Sequence, residues 1–260
     1  MRQDGTSARV ANATMKPMRL ELSHVGKRFG AQRVLQDLTL SFAPGTVVAV
    51  IGLNGAGKTT LLRVLAGILV PERGRLSIDG ARYNRDDLGQ RQRLQFLPDA
   101  PFFVTGQTVV EHLATVLRLY GREAAGTAAA LEVLTGLDLL TLAEANPASL
   151  SRGQRYKAAL AGLLLAQPEL WLLDEPFASG MDPRGIHMLR TRARAAAAAG
   201  ATVVYSTQIL EIAEPFCDRI IVLDQGRVGF DFSRAELEVM PRSGPGSLAE
   251  TLAQFREPGG

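Results

Sequence analysis

The chain has one cysteine, Cys217, in 260 residues. A single thiol excludes an internal disulfide and fits a reducing compartment. A lone cysteine of this kind reads as a small core residue rather than a nucleophile. Long apolar runs are also missing. The longest candidate, Ala158–Ala166, falls far short of the ~20 residues a membrane helix needs. Charge is nearly balanced, with 29 basic and 26 acidic residues and a net charge of +3. So small an excess does not argue for a nucleic-acid partner. Residues 1–17 begin with the polar stretch Met1–Lys16, which lacks the apolar h-region of a secretory signal and reads as an unstructured lead-in. No internal repeat and no heptad array is present. The expectation is a chain soluble by itself, so any membrane role comes through a partner.

What the chain does have is a core. Hydrophobic residues make up 46% and charged residues 21%, as in an ordinary globular protein. Within it, Val47–Ile51 is a continuous apolar run, the pattern of a buried parallel strand. It leads into Gly52-Leu53-Asn54-Gly55-Ala56-Gly57-Lys58-Thr59-Thr60 and then an apolar helical pattern over Leu61–Leu69. This is G-x-x-x-x-G-K-[ST] between a strand and a helix, the context that confers a phosphate-binding loop. Glycines let successive N–H groups, with those of Asn54 and Ala56, turn inward on a phosphate chain. The following helix aims its positive end at the same anion. Lys58 supplies charge for the β- and γ-phosphates, and the Thr59 hydroxyl is a ligand for Mg²⁺.

The rest of the chain alternates strands and helices. Leu20–Val25 and Val34–Phe42 alternate like half-buried strands. Gly74–Gly80 reads as a short strand and turn, and Leu94–Leu97 as another strand. A helical stretch follows, from about Val109 to Leu165. Thr108-x-x-Glu111 and Ser151-x-x-Gln154 are capping boxes that open two of its helices, with a third over Thr127–Thr135. Pro168 closes the last of them. Strands are then expected at Leu170–Leu173, Thr202–Tyr205 and Ile220–Leu223, and helices at Pro183–Ala199 and Ile209–Phe216. Gln225-Gly226 reads as a hairpin turn, and Ser243–Gly246 as a loop before a last helix, Ser247–Phe255. This rhythm predicts a mostly parallel sheet with helices on both faces, carrying a helical insertion.

Leu170-Trp171-Leu172-Leu173-Asp174-Glu175 is an apolar strand ending in two acids. Beside a phosphate loop, Asp174 suits the Mg²⁺ shell and Glu175 suits a base that polarises a water toward the γ-phosphate.

Leu150-Ser151-Arg152-Gly153-Gln154 resembles the LSGGQ signature of ATP-binding-cassette (ABC) ATPases, with Arg152 where the first signature glycine usually sits. It lies at a helix start shortly before the acid-ended strand, as in that family, and the resemblance runs from about Met18 to Val228. It implies a P-loop NTPase core with a mostly parallel sheet, an antiparallel β subdomain and an inserted helical subdomain at about residues 100–166. The ATPase domain would span 18–235, with a C-terminal extension over 236–260. It implies ATP and Mg²⁺ as cofactors, and a head-to-tail dimer, homomeric or heteromeric. In that dimer Ser151, Gly153 and Gln154 cap the nucleotide of the other subunit. Phe29 falls where the family stacks an aromatic on adenine, and Asp182 matches a loop that contacts the partner subunit. The family also implies a separate transmembrane permease, contacted through the groove near Asp99 to Val104, and a cytoplasmic place on the inner face of the cell membrane; Pro101, Phe102 and Phe103 in that segment read either as an apolar contact patch or as packing of the helical subdomain. The chain's last part looks like that of exporter ATPases of the ABC-2 or multidrug type.

Three departures stand out. Asp99 follows Phe96-Leu97-Pro98 where the family has a glutamine, and as a carboxylate it is a further candidate metal ligand. Gln208, in Ser206-Thr207-Gln208, replaces a histidine that contacts the γ-phosphate. The amide donates a hydrogen bond but carries no proton or positive charge to the phosphate. The segment from Asp174 to Asp182 is also one residue longer than usual. Three functions therefore stay open: a hydrolytic transporter subunit, a binding-only or weakly hydrolysing regulatory subunit, and a non-transport ABC ATPase.

Overall fold

The structure is a computed structural model that describes residues 17–241, 244 and 247–256. The lead-in expected over 1–17 therefore lies outside the described residues save Pro17. The chain opens with two long strands, β1 (Leu20–Phe29) and β2 (Gln32–Phe42), followed by the short apolar β3 (Val47–Ile51). The phosphate-loop sequence then runs into α1 (Lys58–Leu65). Next come β4 (Arg73–Ile78), β5 (Ala81–Arg82), a one-turn helix α2 (Leu88–Gln92) and β6 (Leu94–Leu97). The helical stretch is α3 (Val109–Leu119), α4 (Gly126–Gly136) and α5 (Arg152–Ala166). Strands and helices then alternate through β7 (Leu170–Leu173), α6 (Pro183–Ala198), β8 (Thr202–Thr207), α7 (Leu210–Ala213) and β9 (Arg219–Asp224). The described chain ends with β10 (Arg227–Ser233), α8 (Arg234–Val239) and α9 (Leu248–Arg256).

Two sheets form. An antiparallel four-stranded sheet has the order β2-β1-β4-β5. A six-stranded sheet has the order β10-β9-β3-β8-β7-β6, parallel except for β10. Its central strands are buried on both faces, as parallel strands must be. In β3, Val47, Ala49 and Ile51 join one hydrophobic core while Val48 and Val50 join the other. In β7, Trp171 and Leu173 face the first core, and Leu170 and Leu172 the second. Burying such a side chain contributes about 1.5–3 kcal/mol, so the alternation fixes strand register firmly.

Local chemistry explains the element ends. Thr108 and Ser151 each accept from the backbone N–H three residues on, and Glu111 and Gln154 return the bond, so both expected capping boxes are present. In α3, Val109, Leu113 and Leu117 share one stripe and pack into the core that holds Leu134 and Leu160. Helix α5 is buried nearly all round, so it runs through the interior rather than over it.

The structure differs from the sequence expectations in a few places. The helix expected over Ile209–Phe216 shrinks to α7, four residues long. The turn at Gln225-Gly226 forms with both residues at positive φ, as a two-residue hairpin requires, and it leads into β10, a strand the alternation alone did not mark. Ser233 caps α8 through a third capping box, of the Ser-x-x-Glu form, with Glu236. That signal stands in the sequence at a short helix with little apolar periodicity.

Candidate functional site

The parallel strands bring their carboxyl ends to one edge of the sheet, where such folds place ligands. Ile51 of β3 lies beside Thr207 of β8, Leu173 of β7 beside Tyr205, and Leu97 of β6 beside Leu173. The residues just past these ends are the phosphate loop, Gln208, Asp174 with Glu175, and Pro98 with Asp99. The main chain locks the last two together, because the Asp174 N–H donates to Leu97 O at 2.9 Å. Segments far apart in sequence thus share one open cleft of about 500 Å³.

The loop curls as the glycine spacing requires. Gly57 sits at φ 104, a conformation that other residues rarely adopt. A Cβ there would also lie 2.8 Å from Val34 O. Lys58 is buried, and its Nζ donates to Gly52 O at 2.8 Å and Leu53 O at 3.3 Å. The same Nζ lies 3.2 Å from Glu175 Oε1. Thr59 Oγ1 donates to Asp174 Oδ1 at 3.1 Å. Lys58, Thr59, Asp174 and Glu175 therefore meet within bonding distance.

One member of this cluster was not legible in the sequence. Ser206, near the end of β8 and fully buried, donates its hydroxyl to Asp174 Oδ1 at 2.7 Å. It also accepts the Glu175 N–H at 2.8 Å. Glu175 itself has φ 46, a left-handed backbone that costs a non-glycine residue about 1–2 kcal/mol. The serine bond and the lysine pair hold it there.

Phe29 is half exposed on the cleft wall, with Lys27 Nζ 5.5 Å from its ring centroid. It is thus open on the site side rather than a core phenylalanine. Gln208 is exposed and lines the cleft as well.

The signature segment has its own geometry. Ser151 and Gln154 spend their side chains on the capping box of α5. Gly153 is packed so closely against the turn after β7 that a Cβ on it would lie 2.1 Å from Gly180 O. Asp182 is the N-cap of α6, with Oδ1 accepting from the Gly185 N–H and Oδ2 from buried Lys157 at 2.8 Å. The Lys157 hydrogen bond, with that of Gly185, holds the Asp182 carboxyl below its usual range.

Asp99, a candidate metal ligand by sequence, pairs through its carboxylate with Arg152, whose Nη2 lies 2.5 Å from Asp99 Oδ1. Two of the residues that depart from the family pattern, Arg152 and Asp99, are thus partners. Both are substantially exposed, and such pairs contribute only about 0–1 kcal/mol. Of the apolar patch expected at Pro101, Phe102 and Phe103, only Phe102 is exposed, at 88%. Pro101 is buried, and Phe103 packs on His112 with ring centroids 4.6 Å apart.

Divalent-cation chemistry fits this donor set. Mg²⁺ prefers oxygen ligands and takes only one or two from the protein beside phosphates and waters. Thr59 and Asp174 present two such oxygens side by side. Among the described residues no group of three or more His, Cys, Asp or Glu side chains forms a metal cage.

Known proteins give the same picture. Residues 35–178 match the sequence profile of the family described as ABC transporter. The ABC-type transporter ATP-binding protein EcsA of Bacillus subtilis (strain 168) is 34% identical over 196 residues, 75% of this chain and 79% of that protein. The daunorubicin resistance ATP-binding protein DrrA3 of Streptomyces coeruleorubidus is 37% identical over 215 residues, 82% of this chain and 67% of that one. A solved ATP-binding subunit of an ABC transporter superposes with a TM-score of 0.82 at 32% identity, covering 92% of this chain and 99% of its own. A dimeric ATP-binding cassette in a post-hydrolysis state with ADP and Pi superposes with a TM-score of 0.74 at 26% identity, covering 83% and 98%. The sheet order, the converging phosphate-loop and acid residues, and these likenesses agree: the chain belongs to the ATP-binding proteins of ABC transporters.

Proposed function

We propose that this chain binds Mg-ATP in the cleft and hydrolyses it in a head-to-tail dimer, driving a separate membrane-spanning permease, with export as the direction. The observation that carries the reading is the convergence of Lys58, Thr59, Asp174 and Glu175 at the ends of β3 and β7. In this reading the phosphate-loop amides and Lys58 hold the phosphates, and Phe29 stacks on the base. Thr59 and Asp174 hold the Mg²⁺, which offsets the charge that develops on the transferred phosphoryl group. Phosphate binding draws Lys58 away from Glu175, and the freed carboxylate accepts a proton from the attacking water. Gln208 donates a hydrogen bond to the terminal phosphate. Ser151, Gly153 and Gln154 face the nucleotide of a second copy.

The ATPase unit is assigned to 18–235, its helical part to about 100–166, and the extension to 236–260. Among the described residues no helix is long and apolar enough to cross a membrane; the separate permease and the peripheral position on the cytoplasmic face rest in this reading on membership of the ABC transporter ATP-binding proteins. The exporter direction draws on the names of relatives such as the Nod factor export ATP-binding protein I of Burkholderia orbicola (strain AU 1054).

Steady-state ATPase assays of wild type and Glu175→Gln, with size-exclusion chromatography in Mg-ATP, test this. Turnover by wild type, with a dead but dimeric Glu175→Gln, supports a hydrolytic motor with Glu175 as its base. Nucleotide binding without turnover in either protein overturns that role in favour of a binding-only subunit, the reading that Gln208 in place of histidine favours.

A further inference from the structure

A separate cavity lies behind the strand that forms one wall of the cleft. Successive residues of a strand point to opposite faces. In β2, Gln32 and Val34 line the cleft of the phosphate loop, while Arg33 and Leu35 line a cavity of about 410 Å³, in the size range of small-molecule sites. Five cations reach it: Lys27 and Arg28 from β1, Arg33 from β2, Arg73 from β4 and Arg227 from β10. Only two carboxylates do, Asp37 and Glu72. The local excess of three positive charges is as large as the net charge of the whole chain.

Both carboxylates are already engaged. Asp37 Oδ1 lies 2.8 Å from His24 Nδ1, and Glu72 Oε2 accepts from Arg28 Nε at 2.8 Å. Lys27 donates to Val70 O and Arg227 to Gln36 Oε1, each at 3.0 Å, and neither of those acceptors is charged. The side chains of Arg33 and Arg73 have no hydrogen bond or ion pair among the described residues. The backbone also sets two of these arginines against each other. Arg28 and Arg33 are cross-strand partners, a position where like charges are destabilising. Arg73 stands opposite Gly26, which has no side chain to answer it. The strands are bulged here, with register shifts of β1 against β2 and of β1 against β4. His24 and Asp37 fall at those shifts with φ 53 and 57, left-handed strain of the kind that gathers at ligand sites.

We propose that this cavity is an anion site, distinct from the phosphate-loop cleft, that takes a phosphate group through Arg33 and Arg73. Each guanidinium presents a planar fork of N–H donors that matches phosphate oxygens, and such charge-assisted bonds are the strong ones. A phosphate monoester carries about one and a half to two negative charges, so one group offsets most of the local excess. It also removes the repulsion between Arg28 and Arg33 and supplies the partner that Gly26 denies Arg73. A soluble phosphate compound and the headgroup of an anionic phospholipid share this chemistry. The inference goes beyond the nucleotide reading and does not depend on it.

Calorimetric titration with pyrophosphate tests the proposal, on wild type and on the double variant Arg33→Gln with Arg73→Gln. All proteins are first saturated with a Mg-bound non-hydrolysable ATP analogue, to occupy the phosphate loop. A control variant, Arg82→Gln with Arg118→Gln, removes two exposed arginines outside the cavity. Wild type and control should bind alike. The Arg33 and Arg73 variant should bind about ten- to hundredfold more weakly, the range of a charged hydrogen bond. Equal binding by wild type and that variant overturns the proposal, as does an equal loss in the control or a wild-type Kd weaker than about 1 mM. Arg33 and Arg73 are exposed, so without pyrophosphate the variant should keep wild-type ATPase turnover and an equal or higher urea midpoint. A lower midpoint would make the two arginines structural and overturn the site. If the analogue does not bind, the nucleotide reading fails. The phosphate loop is then equally open in all three proteins, and their differences still report on the cavity alone.

Sedimentation with phosphatidylcholine vesicles, plain or containing phosphatidic acid, separates the two sources. Recruitment that requires phosphatidic acid and is lost in the Arg33 and Arg73 variant assigns the site to a lipid headgroup. Pyrophosphate binding without recruitment assigns it to a soluble phosphate compound.

Discussion

Ser206 bonds Asp174 beside Thr59: the serine hydroxyl donates to Asp174 Oδ1 at 2.7 Å, and both residues are buried. The same hydroxyl accepts the Glu175 N–H. One side chain on β8 thus orients the Asp174 carboxylate and anchors the left-handed backbone of Glu175 beside it. A buried carboxylate and a backbone N–H would both lose a partner if the hydroxyl were removed.

Ser206→Ala should therefore cost about 1–3 kcal/mol, the penalty for leaving buried polar groups unsatisfied, and should lower ATPase turnover. Ser206→Thr keeps the hydroxyl and should retain most of both. Denaturant midpoints and turnover for the two variants decide the matter. If alanine and threonine behave alike, the hydroxyl does not position the two acids.

Gly153→Ala probes the contact between α5 and the turn after β7. The added methyl would lie 2.1 Å from Gly180 O, so the turn or the helix start must shift. Overpacking of this sort costs about 1–3 kcal/mol. A urea midpoint equal to that of wild type would show that the two segments separate freely.

Gln208→His restores a side chain able to carry positive charge near the terminal phosphate. A hydrogen bond from a charged donor is stronger than one from a neutral amide by about 1 kcal/mol, which corresponds to roughly fivefold in rate. Turnover should rise by that amount, most clearly toward pH 6, where imidazole is protonated. An unchanged rate across that range would show that Gln208 does not limit hydrolysis.

Cys217 is fully buried, and burial pushes its thiol up to about 12. The reactive species is the thiolate, so at pH 8 native protein should resist thiol reagents and react fully once unfolded in guanidinium. Prompt labelling of native protein with Ellman's reagent would mean that the segment around α7 opens readily.

Much of the site could be read in the chain because its parts are contiguous. Lys58 and Thr59 belong to a loop motif, Asp174 and Glu175 end an apolar strand, and both motifs carry their own local signals. Ser206 carried none, since a serine in an apolar strand reads as ordinary core. The partner of Asp99 was equally invisible, since Arg152, which its carboxylate meets, lies 53 residues away. The helix expected through Phe216 also fell short. There Phe216 packs against Phe177 and Tyr205, and tertiary contact outweighed local propensity.

The sequence by itself determined the elements and the chemistry of the cleft. Strand and helix periodicity, glycines at forced backbone angles, capping boxes and the ordered phosphate-loop, signature and acid motifs are all local properties of consecutive residues. Only the tertiary structure decided which side chains pair. Parallel strands separated by helices bring four chain segments to one edge, and the hydrogen bonds and ion pairs made there depend on distance in space. The pairing of Ser206 with Asp174 exists because the sheet registers β7 beside β8, and that of Arg152 with Asp99 because α5 packs against β6, facts that no spacing along the chain encodes.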